Sequence, residues 1–216
     1  MQLETDPTVR KQHQTPRPPS RQGLLFVLSA PSGTGKDSVI NALKQQGMNF
    51  YVVPSVTSRA PRPGESEGNP YHFISQEEFD RMVANDELLE YAKVHGNWYG
   101  QPRQPIRDNL RAGRDVLLKI DVQGAATVRR KVPQAIFIFL LPDSLEELTL
   151  RLSQRKTETE GELQRRLADA RVELTEKYWY DYVVLNRQDH LQEAVDNIRA
   201  IMMAEHCRTQ PRQVEI

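Results

Sequence analysis

The residues with the clearest chemical capacity lie in APSGTGKDS, residues 30–38. Their spacing approaches G-x-x-x-x-G-K-[ST], in which successive backbone N–H groups curl around phosphate oxygens and a lysine adds positive charge. Gly35 and Lys36 occupy the required places. Ala30 stands where the first glycine belongs, and Asp37 where a hydroxyl residue belongs. Glycine is required only where φ is positive or a ligand touches the backbone. Ala30 precedes Pro31, which pushes it toward extended geometry that alanine accepts. Asp37 alters the chemistry more. A hydroxyl here ligates Mg2+ beside a polyphosphate, and a carboxylate oxygen is also a hard ligand for that ion. Two other readings stay open: Asp37 as a first-turn residue favoured by the helix dipole, or Ser38 as the metal ligand displaced by one place. The run Ala30, Pro31, Ser32, Gly33, Thr34, Gly35, Lys36, Asp37 and Ser38 is therefore a candidate ATP-binding loop, with Mg2+ as its cofactor and Asp37 as the candidate metal ligand.

Such a loop works only between a strand and a helix, and the flanking pattern supplies both. LLFVLS (24–29) reads as a strand buried on both faces, and 37–46 as a helix ended by Gly47. A strand near 52–57 runs into the basic turn RAPRPGE (59–65). SQEE (75–78) is a capping box that opens a helix to about Asn85. A strand follows at 88–94, with HGN (95–97) as its turn and a short helix ending at Gly113. VLLKID (116–121) and IFIFLL (136–141) are further buried strands. SLEE (144–147) is a second capping box, opening a helix to about Gln154. The polar stretch 155–162 between helices suits a mobile lid. A long helix to about Tyr180, a strand at 182–185 and a helix at 190–206 complete the pattern. Alternating strands and helices imply an α/β fold with a parallel sheet and right-handed crossovers. Ligands then bind at the carboxyl ends of the strands, where Ser29, Asp121 and the loop after Leu141 lie.

Bulk properties narrow the partners. Lys plus Arg and Asp plus Glu are 29 each among 216 residues, so no overall charge recruits nucleic acid or a membrane surface. The longest apolar run, 135–141, is too short to span a bilayer. One cysteine, Cys207, cannot form an internal disulfide, which fits a reducing cytoplasm. Residues 1–21 carry Leu3 and Val9 as their only large aliphatics and prolines at 7, 16, 18 and 19, so they read as a disordered extension without a targeting role. Residues 208–216 read as a similarly flexible tail.

Several separated motifs in one order resemble the guanylate kinase family: PSGTGK (31–36), SVTSRAPRPGE (55–65), GNPYHF (68–73), LLEYAKVHGNWYG (88–100), IDVQG (120–124) and FIFLLPDSLEELTLRL (137–152). The resemblance runs from about Leu24 to His206. It implies ATP-dependent phosphorylation of GMP, and of dGMP, on a P-loop NTPase-like parallel sheet core with an inserted GMP-binding lobe and a helical lid. It implies a core of 22–56, 111–152 and 171–207, a lobe of 57–110 and a lid of 153–170. Arg59, Arg62, Tyr71 and Tyr99 are then assigned to the phosphate of GMP. Glu90 and Asp121 accept from the guanine N1–H and N2–H2 donors, and Ser55 assists. Gln101 stands where the family usually has the Ser or Thr that donates to O6. Lys36, Arg59, Arg155 and Arg166 become the catalytic cations, with Arg151 secondary, and Lys156 replaces the usual glycine after the lid arginine. Small molecules are the implied partners, and the chain is a monomer or homodimer.

A further departure concerns Lys119, which replaces the family's usual Glu or Asp. Residues 119 and 121 share a strand face. The chain loses an acid at 119 and gains one at 37, which reads either as compensation or as independent drift. Two rivals carry different functions. A ribose 1,5-bisphosphate phosphokinase shares GKDS but has no guanine to read, and a catalytically inactive guanylate-kinase-like binding module needs no lid arginines.

Overall fold

Strand β1 (Leu25–Ser29) is buried along its whole length, and its side chains alternate between two apolar clusters. Leu25 and Val27 enter one cluster, while Phe26 and Leu28 enter the other. Strands β8 (Asp115–Ile120) and β9 (Ile136–Pro142) repeat this alternation, as the two-residue period of a strand requires. The chain is described by a computed structural model covering residues 22–62, 64–68, 70–94, 96–153 and 160–216. With β2 (Phe50–Val52) and β10 (Tyr182–Asn186) the sheet has five strands in the order β10-β9-β1-β8-β2, and every pairing is parallel. This is the α/β core expected from the sequence.

Helices cover both faces. Helix α1 (Lys36–Gln45) contributes Val39, Ile40 and Leu43 to the Phe26 cluster, joined by Ala194, Val195, Ile198 and Met202 of α7 (Leu191–His206). On the other face α3 (Arg103–Arg111) presents Ile106 and Leu110, and α4 (Val122–Lys131) presents Val122, Ala125 and Val128. Each large aliphatic side chain buried this way stabilises the fold by about 1.5–3 kcal/mol.

A second sheet stands apart from the first. It orders β4 (Ser66–Glu67), β5 (Pro70–Phe73), β3 (Ser55–Thr57), β7 (Asn97–Pro102) and β6 (Leu88–Val94), with both parallel and antiparallel pairs. Its own cluster joins Val56 and Leu88 to Phe79 of helix α2 (Gln76–Ala84). The expected single strand at 52–57 is thus two strands in two sheets. Val52 pairs with Leu117, Ser55 pairs with Tyr71, and Pro54 between them has no N–H to continue a ladder. Helix α4 and strands β5 and β7 do not appear in the sequence reading. Both serines cap their helices, Ser75 Oγ accepting from Glu78 N and Ser144 Oγ from Glu147 N, each at 3.1 Å, while the carboxylates turn elsewhere, Glu78 to Arg81 and Glu147 to Asp143 N and Arg151.

Helices α5 (Leu145–Ser153) and α6 (Glu160–Thr175) meet over Leu148, Leu152 and Ala170. Helix α6 ends before the expected Tyr180, and a 3-10 turn, Glu176–Trp179, carries the chain into β10. The lid candidate Arg155 lies outside the described residues. Among the described residues no helix is long and apolar enough to cross a membrane.

The expectation of a loose tail after residue 208 is corrected. Val214 is buried in the Val27 cluster, and its carbonyl accepts from Gln22 Nε2 at 2.8 Å. Arg107 Nε donates to the Ile216 carbonyl at 2.6 Å. Arg212 donates to both oxygens of the buried Glu205, at 2.9 and 3.1 Å, and Tyr182 Oη donates at 2.6 Å. Burial alone would raise Glu205, but these donors outweigh it and hold the carboxyl below its ordinary range. The polar composition of the segment hid one apolar anchor and one ion pair. Arg212→Ala should lower unfolding stability by about 2 kcal/mol, because Glu205 is left buried with fewer donors. Urea denaturation checks this, and Glu205→Gln in the same chain should recover part of the loss.

Candidate active site

The loop after β1 owes its shape to two left-handed residues, Gly33 at φ 90° and Gly35 at φ 94°. A Cβ on Gly35 would lie 2.7 Å from Asn186 Nδ2, and one on Gly33 would lie 2.8 Å from Leu152 Cδ2. Ala30 has no such φ and is buried among Leu28 and Val39, which is why alanine is accepted there. Thr34 Oγ1 donates to the Pro31 carbonyl at 2.9 Å. The Thr34 carbonyl accepts from Asn186 Nδ2 at 2.7 Å and from Arg151 Nη1 at 3.1 Å. Arg151 also meets Glu147 and the Asn186 carbonyl, so it braces the loop from outside. Lys36 Nζ donates to the Ala30 carbonyl at 2.7 Å. Burial is the main cause that lowers the Lys36 ammonium to about 8; Glu173, Asp121 and Asp37 oppose it, and Lys119 reinforces it.

On the second sheet, Arg59 lies beneath the rings. Its Nε donates to Tyr99 Oη at 3.2 Å, and its guanidinium sits 5.5 Å from the Tyr71 ring centre. Nη2 donates to both oxygens of Glu65 at 2.9 Å, and Glu65 Oε2 also accepts from Arg62 N at 2.7 Å. Glu65, absent from the sequence-derived set, therefore orients the turn that carries both arginines. The Tyr71 and Tyr99 rings meet edge to face at 5.6 Å. Arg62 is exposed, and the structure does not bring its guanidinium into this cluster.

A third group lies where β6, β7 and α4 converge. Glu90 is 3% exposed, and its Oε2 has no hydrogen-bond partner among the described residues. Asp121 caps α4 by accepting from Gly124 N at 2.7 Å. A Cβ on Gly124 would lie 2.8 Å from Glu90 Oε2 and 3.3 Å from Asp121 Oδ1, so the two carboxyls approach each other over this glycine. Burial raises Glu90 to about 8, Asp121 adds to the rise, and Lys131 opposes it. Opposite Glu90 in the ladder, Gln101 Nε2 donates to Ser55 Oγ at 2.6 Å, and Gln101 Oε1 is buried with no partner among the described residues. Buried acceptors of this kind are costly unless a ligand donates to them.

Helix α6 closes the loop side. Arg166 Nη2 donates to Ser32 Oγ at 2.5 Å. Glu173, which the sequence reading passed over, is raised to about 7, chiefly by burial, with Asp121 and Asp169 adding and Lys36 and the Ser32 N–H opposing. No spacing signal marks it, since it is one acid among many on a charged helix.

The donor set for a divalent cation is small. Among the described residues no three His, Cys, Asp or Glu side chains cluster in a way that could hold a metal. Asp37 is exposed, its Oδ1 accepts from Lys119 Nζ at 2.6 Å, and Ser38 is exposed beside it. One carboxylate beside the Lys36 loop fits Mg2+, a hard cation that keeps several waters and needs few protein ligands.

A family model for guanylate kinase matches residues 22–205. The guanylate kinase of Synechococcus sp. (strain JA-3-3Ab) is 46% identical over 198 residues, covering 92% of this chain and 90% of the relative. That of Dechloromonas aromatica (strain RCB) is 48% identical over 182 residues, covering 84% and 89%. The crystal structure of guanylate kinase from Anaplasma phagocytophilum superposes with a TM-score of 0.73 at 37% identity, covering 88% of this chain and 89% of that one. A phosphate loop, an arginine–tyrosine cluster and a buried pair of carboxyls thus sit on a chain that belongs to the guanylate kinase family.

Proposed function

We propose that this chain transfers the γ-phosphoryl group of ATP to GMP, and to dGMP, giving ADP and a guanosine diphosphate. The observation that carries the reading is the pair of carboxyls over Gly124, with Glu90 Oε2 buried and unpaired. Guanine presents N1–H and N2–H2 on one edge, and both need acceptors. Adenine presents no donor at N1 and would leave the acids facing lone pairs, which is how such sites discriminate by large factors. A sugar bisphosphate has no base for these acids to read, so a ribose 1,5-bisphosphate phosphokinase is disfavoured. Lys36 held in an intact loop speaks against an inactive binding module.

The roles follow from charge. The loop N–H groups and Lys36 hold the donor's phosphates. Arg59, Arg62, Tyr71 and Tyr99 hold the phosphate of GMP, with Arg62 swinging in from the exposed turn. Arg155 and Arg166 neutralise the moving group, because phosphoryl transfer demands little from the protein beyond alignment and electrostatic stabilisation. Asp37 would hold Mg2+, with Ser38 beside it, and the ion would neutralise phosphate charge when bound. Residues 57–110 act as the GMP lobe and 153–170 as the lid, closing on the core to exclude water. The single exposed cysteine supports a reducing, cytoplasmic setting.

An assay for ADP release with GMP, dGMP, IMP, AMP and ribose 1,5-bisphosphate tests this. GMP and dGMP should turn over, and AMP should be at least about a thousandfold poorer in kcat/KM. Turnover of the sugar phosphate in place of GMP would overturn the assignment.

A pH dependence follows from Glu90. Below about 8 its carboxyl is protonated in the free enzyme, so it points a hydroxyl at guanine's donors. GMP affinity should therefore fall as pH drops, approaching about tenfold per unit well below that value. The KM for GMP, followed from pH 8.5 to about 6, should show this slope in the parent chain and lose it in Glu90→Gln.

A further inference from the structure

Lys119 lies at the end of β8, on the strand face that α1 covers, and its side chain is 15% exposed. Its Nζ reaches in two directions. It donates to Asp37 Oδ1 at 2.6 Å and stands 5.6 Å from the centre of the Tyr71 ring. The Arg59 guanidinium lies 5.5 Å from the centre of that same ring. Lys119 disfavours the ammonium form of Lys36 and favours the phenolate form of Tyr71, which places its charge within electrostatic reach of both clusters. One ammonium therefore stands between the loop that grips the donor and the rings and guanidinium that face the acceptor.

A purely structural ion pair explains this poorly. Asp37 is 74% exposed, and a pair with so open a partner contributes about 0–1 kcal/mol at most. Withdrawing a lysine head from water for that return is unfavourable unless another anion also uses it. Phosphate is such an anion, and the space beside the Tyr71 ring is bordered by two cations, Arg59 and Lys119.

We propose that Lys119 is a further catalytic residue, whose ammonium contacts the phosphate of GMP, and that Asp37 is the positioning residue that holds it there. This rests on the reading of GMP as the acceptor. Asp37 has two oxygens, so Oδ1 can hold Lys119 while Oδ2 faces a cation. The acid lost at 119 and the acid gained at 37 are then one change: a base brought to the acceptor phosphate, with its counter-charge supplied from α1.

The test is equilibrium binding of GMP and of guanosine in metal-free buffer, which separates phosphate contact from base reading and does not depend on turnover. Lys119→Met should weaken GMP about tenfold, the loss of one charge-assisted contact, and leave guanosine unchanged. Lys119→Arg should stay within about threefold of the parent. Asp37→Asn should weaken GMP by a smaller factor, and adding it to Lys119→Met should cause no further loss. In kinetics, Lys119→Met should raise KM for GMP and lower kcat while leaving KM for ATP in place. GMP affinity within twofold of the parent in Lys119→Met, equal losses for GMP and guanosine, or losses that add in the double variant would each overturn the proposal. A parent chain that binds neither GMP nor guanosine would overturn the assignment of the acceptor itself, which is a different result.

Discussion

The approach of Glu90 to Asp121 is the constraint on which the proposed acceptor site depends. Two carboxyls over one glycine, one of them nearly inaccessible to water, repel each other whenever both are ionised. The fold tolerates this because it fixes each acid from a separate direction. Asp121 is anchored as the cap of α4 by the Gly124 N–H. Glu90 is held by its strand, flanked by the fully buried Leu88 and Leu89. Below about 8 the fold avoids that repulsion by keeping Glu90 protonated, and on the proposed reading a guanine edge would bring the N–H donors that favour its ionised form. Selectivity would then rest on donors that only the right base brings.

Helix α4 ties this arrangement to the core. Its first residue follows Asp121, its apolar side packs under the parallel sheet, and at its far end Lys131 Nζ donates to the Leu89 carbonyl at 2.7 Å. Leu89 itself belongs to the core cluster, although β6 pairs only within the second sheet. The edge of the second sheet that carries Glu90 is therefore held to the core, while the turn bearing Arg62 is exposed.

The sequence displays the parallel core because buried strands are short apolar runs and the capping boxes are local. Neither needs knowledge of partners. Helix α4 escaped because its opening residues, VQGAAT, combine β-branched residues with a glycine and give weak helical propensity. The helix exists through packing against the sheet and through the Asp121 cap. Strands β5 and β7 escaped for a related reason: their faces are half-buried and carry the site, so their apolar alternation is blurred by Tyr71, His72, Tyr99 and Gln101. Within the site, the loop and the two acids were visible as motifs or by resemblance. Asn186 and Glu173 act through contacts between distant segments, of which spacing along the chain holds no trace. Glu65 and Gly124 lie inside the quoted motifs, but their partners, the Arg59 guanidinium and the Glu90 carboxyl, show only in the fold.

The cations of the site share one feature that explains how they coexist. Arg59 is matched by Glu65, Lys119 by Asp37, and Lys36 lies within the field of Glu173. Three positive groups gathered around the phosphate sites would otherwise repel one another and be costly to desolvate. Arg59 and Lys119 are each kept oriented by a carboxylate, and Lys36 by the Ala30 carbonyl. On the proposed reading, incoming phosphates would share or displace the acids that already hold Arg59 and Lys119. Binding would then be an exchange of one anion for another, with little reorganisation left for the proposed transfer step. The same logic accounts for an acidic residue in a loop meant for polyphosphate: the negative charge at 37 is tolerable because Lys119 was placed to meet it.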